Sequence, residues 1–304
     1  MKMTPLVAAV AGRWGKTPQP IDLPPGQLVD LPGRGTTCVI DRPGPPGAPT
    51  LILLHALATT AALSWYPSLE ALGEHYRVIT FDQRWHGRGI RSEMFRFEDC
   101  ADDVVAVADA MGVDKFTVVG YSMGGAIAQL VWRRHRDRVE GLVLAATARN
   151  FRGKMTERMW FLMTHTTMTR WGNGVRTRAD KLHSTLPSEP LAMSADALVG
   201  PWAMTEFRST SAWALLAAIN EIGRFDSSAW IRRVDVPTSV VVMTRDRFIP
   251  TRRQRRLGAS IPGAMVYDVD GNHAALVMSA KEFVPVLVSA CRSVTRRRAE
   301  RPAA

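Results

Sequence analysis

The stretch Phe116-Thr-Val-Val-Gly-Tyr-Ser-Met-Gly-Gly125, continued by Ala126-Ile-Ala-Gln-Leu-Val-Trp132, decides how this chain folds. The β-branched residues at 117–119 favour an extended strand, and residues 126–132 have the composition of a helix. Between them, Gly120 and Gly124 stand two residues either side of Ser122. Glycines there permit a turn too tight for side chains. The serine is held at the apex of such a turn, its hydroxyl exposed and a helix N-terminus behind it. Ser122 is therefore a candidate nucleophile.

Working outward, short apolar runs alternate with helical patterns. Residues 36–40, 51–54, 77–81 and 139–146 read as strands, and continuous runs such as Leu51-Ile-Leu-Leu54 mark strands buried on both faces. Helices are expected over 61–73, 99–111 and 126–135. The second of these sets Val104, Val105, Val107 and Ala108 against Asp102, Asp103 and Asp109. Strands alternating with helices imply βαβ units and a mostly parallel sheet. The alternation stops near Arg149. From there to about Asp226 the chain is helix-like and rich in Met and Trp; strands resume at 236–243 and 264–269, and a last helix spans 281–294. The expected fold class is α/β, a central sheet flanked by helices with an inserted helical cap. Residues 25–149 and 227–295 form the core, 150–226 the cap, and 296–304 a disordered basic tail.

Composition narrows the function classes. With 304 residues, 46% apolar and 22% charged, the chain can bury one large core and is not a disordered polymer. No apolar run approaches the roughly 20 residues that cross a bilayer. Lys2 and the apolar residues 6–11 imitate a signal peptide, but the apolar stretch is too short, which favours a cytoplasmic protein. Cys38, Cys100 and Cys291 are odd in number and lack metal-ligand spacing, which fits a reducing compartment and no metal. The net charge of +11 collects in Arg133-Arg134-x-Arg136-x-Arg138, in 245–256 and in 292–301. These arginines read as solvated helix faces. Nucleic acid is not an expected partner, because no reading motif or interleaved aromatic surface accompanies them. Weak attachment of the basic tail and apolar N-terminus to an anionic membrane surface stays open, and oligomeric state is not legible.

A serine hydroxyl needs a base, a carboxylate to orient that base, and donors for a developing oxyanion. His75, His135, His165 and His183 fall in predicted helices or the insertion, where packing and surface roles are the default. His273 instead ends Asp270-Gly-Asn-His273, a turn after a strand, where a parallel sheet builds its site. Asp246 occupies the equivalent place after the strand at 236–243. Asp268 lies within a strand, Asp270 is too near His273 along the chain, and Asp235 precedes its strand, at the wrong end of the sheet.

The order Ser122, Asp246, His273 resembles the nucleophile–acid–base order of the α/β-hydrolase superfamily, in particular its serine esterase and cofactor-free haloperoxidase branches. The resemblance runs over about residues 30–295. Leu51-Ile-Leu-Leu-His55-Ala-Leu57 resembles the family's strand and His-Gly-x oxyanion loop. Phe81-Asp-Gln-Arg-Trp-His-Gly-Arg-Gly89 is similar to its Asp-x-Arg-Gly-His-Gly motif, and Asp246-x-x-x-Pro250 to the sequence around its acid. The resemblance implies oxyanion donors at the backbone N–H of Leu57 and Met123, and structural roles for His55 and His86. Two departures stand out. Ala56 replaces a glycine, at a cost if positive φ is required there; Trp85 replaces another and adds bulk near the pocket.

What the resemblance implies is a serine hydrolase that cleaves carboxylic esters through an acyl-enzyme on Ser122, with no cofactor or metal. Its partner would be a small-molecule ester or acyl substrate, and the Trp160, Phe161, Trp171, Trp202, Phe207 and Trp213 side chains of the insertion point to an apolar one. Perhydrolase or haloperoxidase, lactonase, carbon–carbon hydrolase and acyl-transfer chemistry are alternatives on the same fold. A binding protein with an idle triad is the alternative of another class.

Overall fold

The apolar runs pair into one sheet. In a computed structural model, which describes residues 23–152 and 199–300, the strands are β1 (Gln27–Leu31), β2 (Gly35–Arg42), β3 (Thr50–Leu54), β4 (Arg77–Phe81), β5 (Phe116–Tyr121), β6 (Val139–Ala145), β7 (Thr238–Met243) and β8 (Met265–Val269). Their order is β1-β2-β4-β3-β5-β6-β7-β8. From β4 to β8 all neighbours are parallel, and β1 and β2 add an antiparallel edge. The order reverses at β3–β5, so the crevice above the carboxyl ends of the strands opens there.

The helices are α1 (Ala61–Gly73), α2 (Phe97–Ala110), α3 (Met123–Arg134), α4 (Val199–Arg208), α5 (Ala212–Arg224), α6 (Thr251–Ser260), α7 (Ala275–Met278) and α8 (Ala280–Ala299). Alternate residues of each strand face opposite layers. In β3, Ile52 and Leu54 pack with Val104 and Val107 of α2 and Ile127 of α3, whereas Leu51 and Leu53 pack with Trp65 and Leu69 of α1 and Phe283 and Leu287 of α8. Two covered faces are what turn the strand sequences into continuous apolar runs.

Three expectations change. Strand β1, Gln-Leu-Val-Asp-Leu, is a mostly exposed edge without a continuous apolar run; it pairs with β2 through the hairpin turn in which Arg34 N–H donates to Leu31 O with Gly33 at φ 72°. Asp103 does not face solvent. It is 1% exposed and accepts from Arg84 Nε at 2.5 Å, Arg84 Nη2 at 2.9 Å and Arg34 Nε at 2.5 Å. A buried carboxylate is tolerated only with such partners. The third change concerns the basic tail, because α8 continues through Ala299, past the expected boundary at 296. Arg297 donates to the carbonyls of Thr238 and Gly263, both at 2.8 Å, and Arg298 pairs with Glu140 at 3.3 Å, tying the last turns to the sheet.

Within residues 150–226, α4 and α5 are described. Thr60 and Ser211 cap α1 and α5, accepting from Leu63 N–H and Ala214 N–H at 3.1 Å each. Trp160, Phe161, Trp171, His165 and His183 lie outside the described residues, as do the apolar residues 6–11.

Candidate active site

Ser122 sits where β5 turns into α3, at φ 54° and ψ −112°, a conformation that side chains normally avoid. Its surroundings enforce it. Ser122 N–H donates to Ala145 O of the neighbouring strand at 2.9 Å, and Gly125 N–H returns to Ser122 O at 3.0 Å. A Cβ on Gly120 would strike the Gly124 carbonyl, and one on Gly124 the Leu54 carbonyl. Those two positions must be glycine because backbone passes directly over them.

The three sequence candidates meet at this point. Ser122 Oγ lies 2.9 Å from His273 Nε2, and His273 Nδ1 lies 2.7 Å from Asp246 Oδ2. Asp246 has no exposed side-chain surface. Its Oδ1 accepts from Phe248 N–H at 2.8 Å and Ile249 N–H at 3.0 Å; its Oδ2 also accepts from Gln254 Nε2 at 3.0 Å. With every neighbour of the carboxylate a donor, the hydrogen on the imidazole belongs on Nδ1. That leaves Nε2 to accept from the serine hydroxyl.

Gln254 was not singled out from sequence. It is the fully buried polar residue of α6, flanked in sequence by arginines, and also accepts from Met243 N–H at 2.9 Å while donating to Ile249 O at 2.7 Å. An uncharged residue amid Arg252, Arg253, Arg255 and Arg256 was the available signal.

Leu57 is partly buried in the loop after β3, and Met123 is the first residue of α3. Among the described residues neither backbone N–H donates to a protein acceptor. At Met123 the open amide belongs to a helix N-terminus, where the aligned peptide dipoles favour negative charge. The anticipated cost at Ala56 does not arise, because the left-handed residue of this loop is Ala58, at φ 66°. Trp85 does adopt positive φ, 61°. It is 1% exposed, lies 4.3 Å from the Trp213 ring and donates from Nε1 to Ser92 O at 3.1 Å. Burial against α5 compensates its backbone. Trp202 likewise packs inward, 5.4 Å from the Tyr66 ring. Among the described residues the exposed aromatic at the site is Phe248, 65% exposed, its ring 5.5 Å from that of His273.

His55 and His86 both bond loop backbone. His55 Nδ1 lies 2.8 Å from Ala56 O and its Nε2 accepts from Gln83 N–H at 2.9 Å, while His86 Nδ1 lies 2.9 Å from Arg84 O. Burial lowers His55 to about 4 and, with the His55 ring adjacent, lowers His86 to about 3. Both are thus neutral when folded. The unfolded chain protonates near pH 6.5, so their contribution is complete above that value and is lost as pH falls toward the folded values. At pH 5 each imidazole costs about 2 kcal/mol of stability. Buried Asp82 and Glu206 are raised by desolvation and act in the opposite sense. The test is therefore a difference: between pH 7.5 and pH 5, His86→Asn should lose about 2 kcal/mol less unfolding free energy than the parent in urea titrations.

Among the described residues no group of His, Cys, Asp and Glu is arranged to hold a metal ion, and no helix is long and apolar enough to cross a membrane. The other described histidines serve elsewhere: His135 meets Asp102 at 2.8 Å, and His75 contacts Arg292.

Comparison with known proteins agrees with this architecture. Residues 49–279 match the family model described as the alpha/beta hydrolase fold. The chain is 26% identical over 252 residues to a poly(3-hydroxyalkanoate) depolymerase of Ectopseudomonas oleovorans, covering 81% of this chain and 86% of that protein. It is 22% identical over 261 residues to 3-oxoadipate enol-lactonase 1 of Acinetobacter baylyi, covering 86% and 95%. Among solved structures, the enol-lactonase from Burkholderia xenovorans LB400 superposes with a TM-score of 0.68 at 22% identity, over 88% of this chain and all of that one. A family match over most of the chain, on a sheet of this order, makes the protein a member of the α/β-hydrolase family and an enzyme of its hydrolytic class.

Proposed function

We propose that the protein is a serine hydrolase of carboxylic esters, with Ser122 as nucleophile, His273 as base and Asp246 as the acid that orients it. The observation that carries this reading is the continuous hydrogen-bonded chain from Ser122 Oγ through the imidazole to Asp246 Oδ2. Ser122 Oγ attacks the ester carbonyl carbon while His273 Nε2 takes the hydroxyl proton. The oxyanion formed at the carbonyl oxygen accepts from the N–H groups of Met123 and Leu57. Collapse breaks the C–O bond to the leaving alcohol, which receives the proton from Nε2. Water then gives a proton to Nε2 and adds to the acyl carbon; collapse breaks the bond to Ser122 Oγ, which takes the proton back from Nε2 as the acid leaves.

The substrate class is a lipophilic or aromatic ester. Phe248 supports this, as an exposed ring beside the base, and residues 150–226 are proposed to form the cap that covers the acyl chain. A lactone is an internal ester open to the same attack, and the likeness to an enol-lactonase favours it as a second reading. The test combines a fluorophosphonate probe with an ester series. Labelling should be confined to Ser122 and lost in Ser122→Ala, and medium-chain aryl esters should exceed acetyl esters in kcat/KM by about tenfold or more. Folded protein that takes no label would overturn the mechanism. A wide preference for acetyl would overturn the substrate class alone.

A further inference from the structure

The residue before the nucleophile reaches across to the loop that carries the base. Tyr121 ends β5 and is 1% exposed, and its hydroxyl donates to the main-chain carbonyl of His273 at 3.0 Å. Among the described residues this is the only hydrogen bond made by the His273 main chain. The residues on either side are fastened independently: Arg245 N–H donates to Gly271 O at 2.9 Å, and Ala275 N–H to Asn272 O at 3.0 Å. With four residues, α7 has few helix bonds of its own to hold the turn in place.

We propose that Tyr121 is a positioning residue of the active site, whose phenol pins the His273 main chain and thereby sets the approach of Nε2 to Ser122 Oγ. The proposal rests on reading His273 as the base. Nucleophile and pin are adjacent residues at the end of a central strand, so the distance between nucleophile and base is referred to one rigid point. The ring packs edge-on against Phe283 of α8 at 5.6 Å, and the His273 imidazole lies 5.9 Å from it. Burial, reinforced by the charge of Asp246, pushes the phenol's ionisation upward, so it remains a donor. Reaction rates respond steeply to such placement, because an error of about 1 Å between reacting groups costs up to about 100-fold.

A buried tyrosine could equally hold its hydroxyl there for core stability alone, and two variants separate the roles. Tyr121→Phe keeps the ring and removes the pin. At a temperature well below melting, its fluorophosphonate labelling rate and its kcat on an aryl ester should fall by about tenfold to 100-fold, with KM within about twofold of the parent. Phe283→Leu disturbs the ring's packing and keeps the phenol; it should melt lower yet hold kcat within about twofold. Tyr121→Phe labelling at the parent's rate would overturn the proposal. So would an equal fall in kcat in Phe283→Leu, since packing and not the phenol would then control the rate. Parent enzyme that takes no label at Ser122 would refute the underlying mechanism instead, a result distinct from either.

Discussion

Ser122→Ala is expected to lower kcat by about 10⁶-fold, because removing the nucleophile disables the triad as a unit. The protein should stay folded. Ser122 contributes little to packing, and its one side-chain hydrogen bond among the described residues is to His273. The backbone at this position makes a sharper statement available. A residue at φ 54° and ψ −112° carries strain of about 1–3 kcal/mol. Glycine relieves it while adding some freedom to the unfolded chain. Ser122→Gly should therefore be as inactive as Ser122→Ala yet gain about 1 kcal/mol, read as a melting temperature about 2 °C higher. Calorimetry beside an aryl ester assay checks both halves. Residual turnover above about one-thousandth of the parent in either variant would remove Ser122 from the mechanism.

Asp246→Asn should lower kcat by about 10⁴-fold with KM nearly unchanged, although the substitution preserves size and shape. The reason lies in the donors around the carboxylate. Oδ1 serves the amides of Phe248 and Ile249, and Oδ2 serves Gln254 and His273. An asparagine can offer its oxygen to one pair only. If that pair is the two backbone amides, its NH₂ faces His273 Nδ1 and draws the hydrogen to Nε2. The imidazole then presents a donor to Ser122 Oγ and cannot take its proton. Kinetics on a soluble ester give the loss in kcat, and fluorophosphonate labelling should slow in parallel. Labelling at the parent's rate would contradict the assigned role of Asp246.

Much of this was legible locally. The strand-turn-helix around Ser122 shows in β-branched residues, paired glycines and a helical run, all within reach of one another along the chain. Asp246 and His273 stand out because each follows a strand, and the ends of parallel strands converge on one side of a sheet. Apolar runs announced seven of the strands in the sheet, the exposed edge β8 among them; β1, an equally exposed edge, reads Gln-Leu-Val-Asp-Leu and carries no such continuous run. One reading by likeness does not hold in the structure. Ala56 stands where the family has a glycine, yet backbone angles depend on the whole loop, and its left-handed residue falls at Ala58; Trp85, at the other glycine position, does take positive φ and packs against Trp213.

The order of elements, the tight turn and the residue types suited to acyl chemistry were thus determined by sequence, since propensity and periodicity are properties of neighbouring residues. Tertiary structure alone decided the partners. Asp103 became a buried pair with Arg84 and Arg34, Gln254 a brace for Asp246, and Tyr121 a hold on the His273 main chain. Each joins groups 8 to 152 positions apart. A polar side chain states only that it needs a partner when buried; which one it finds is set by the packing of the sheet and its helices.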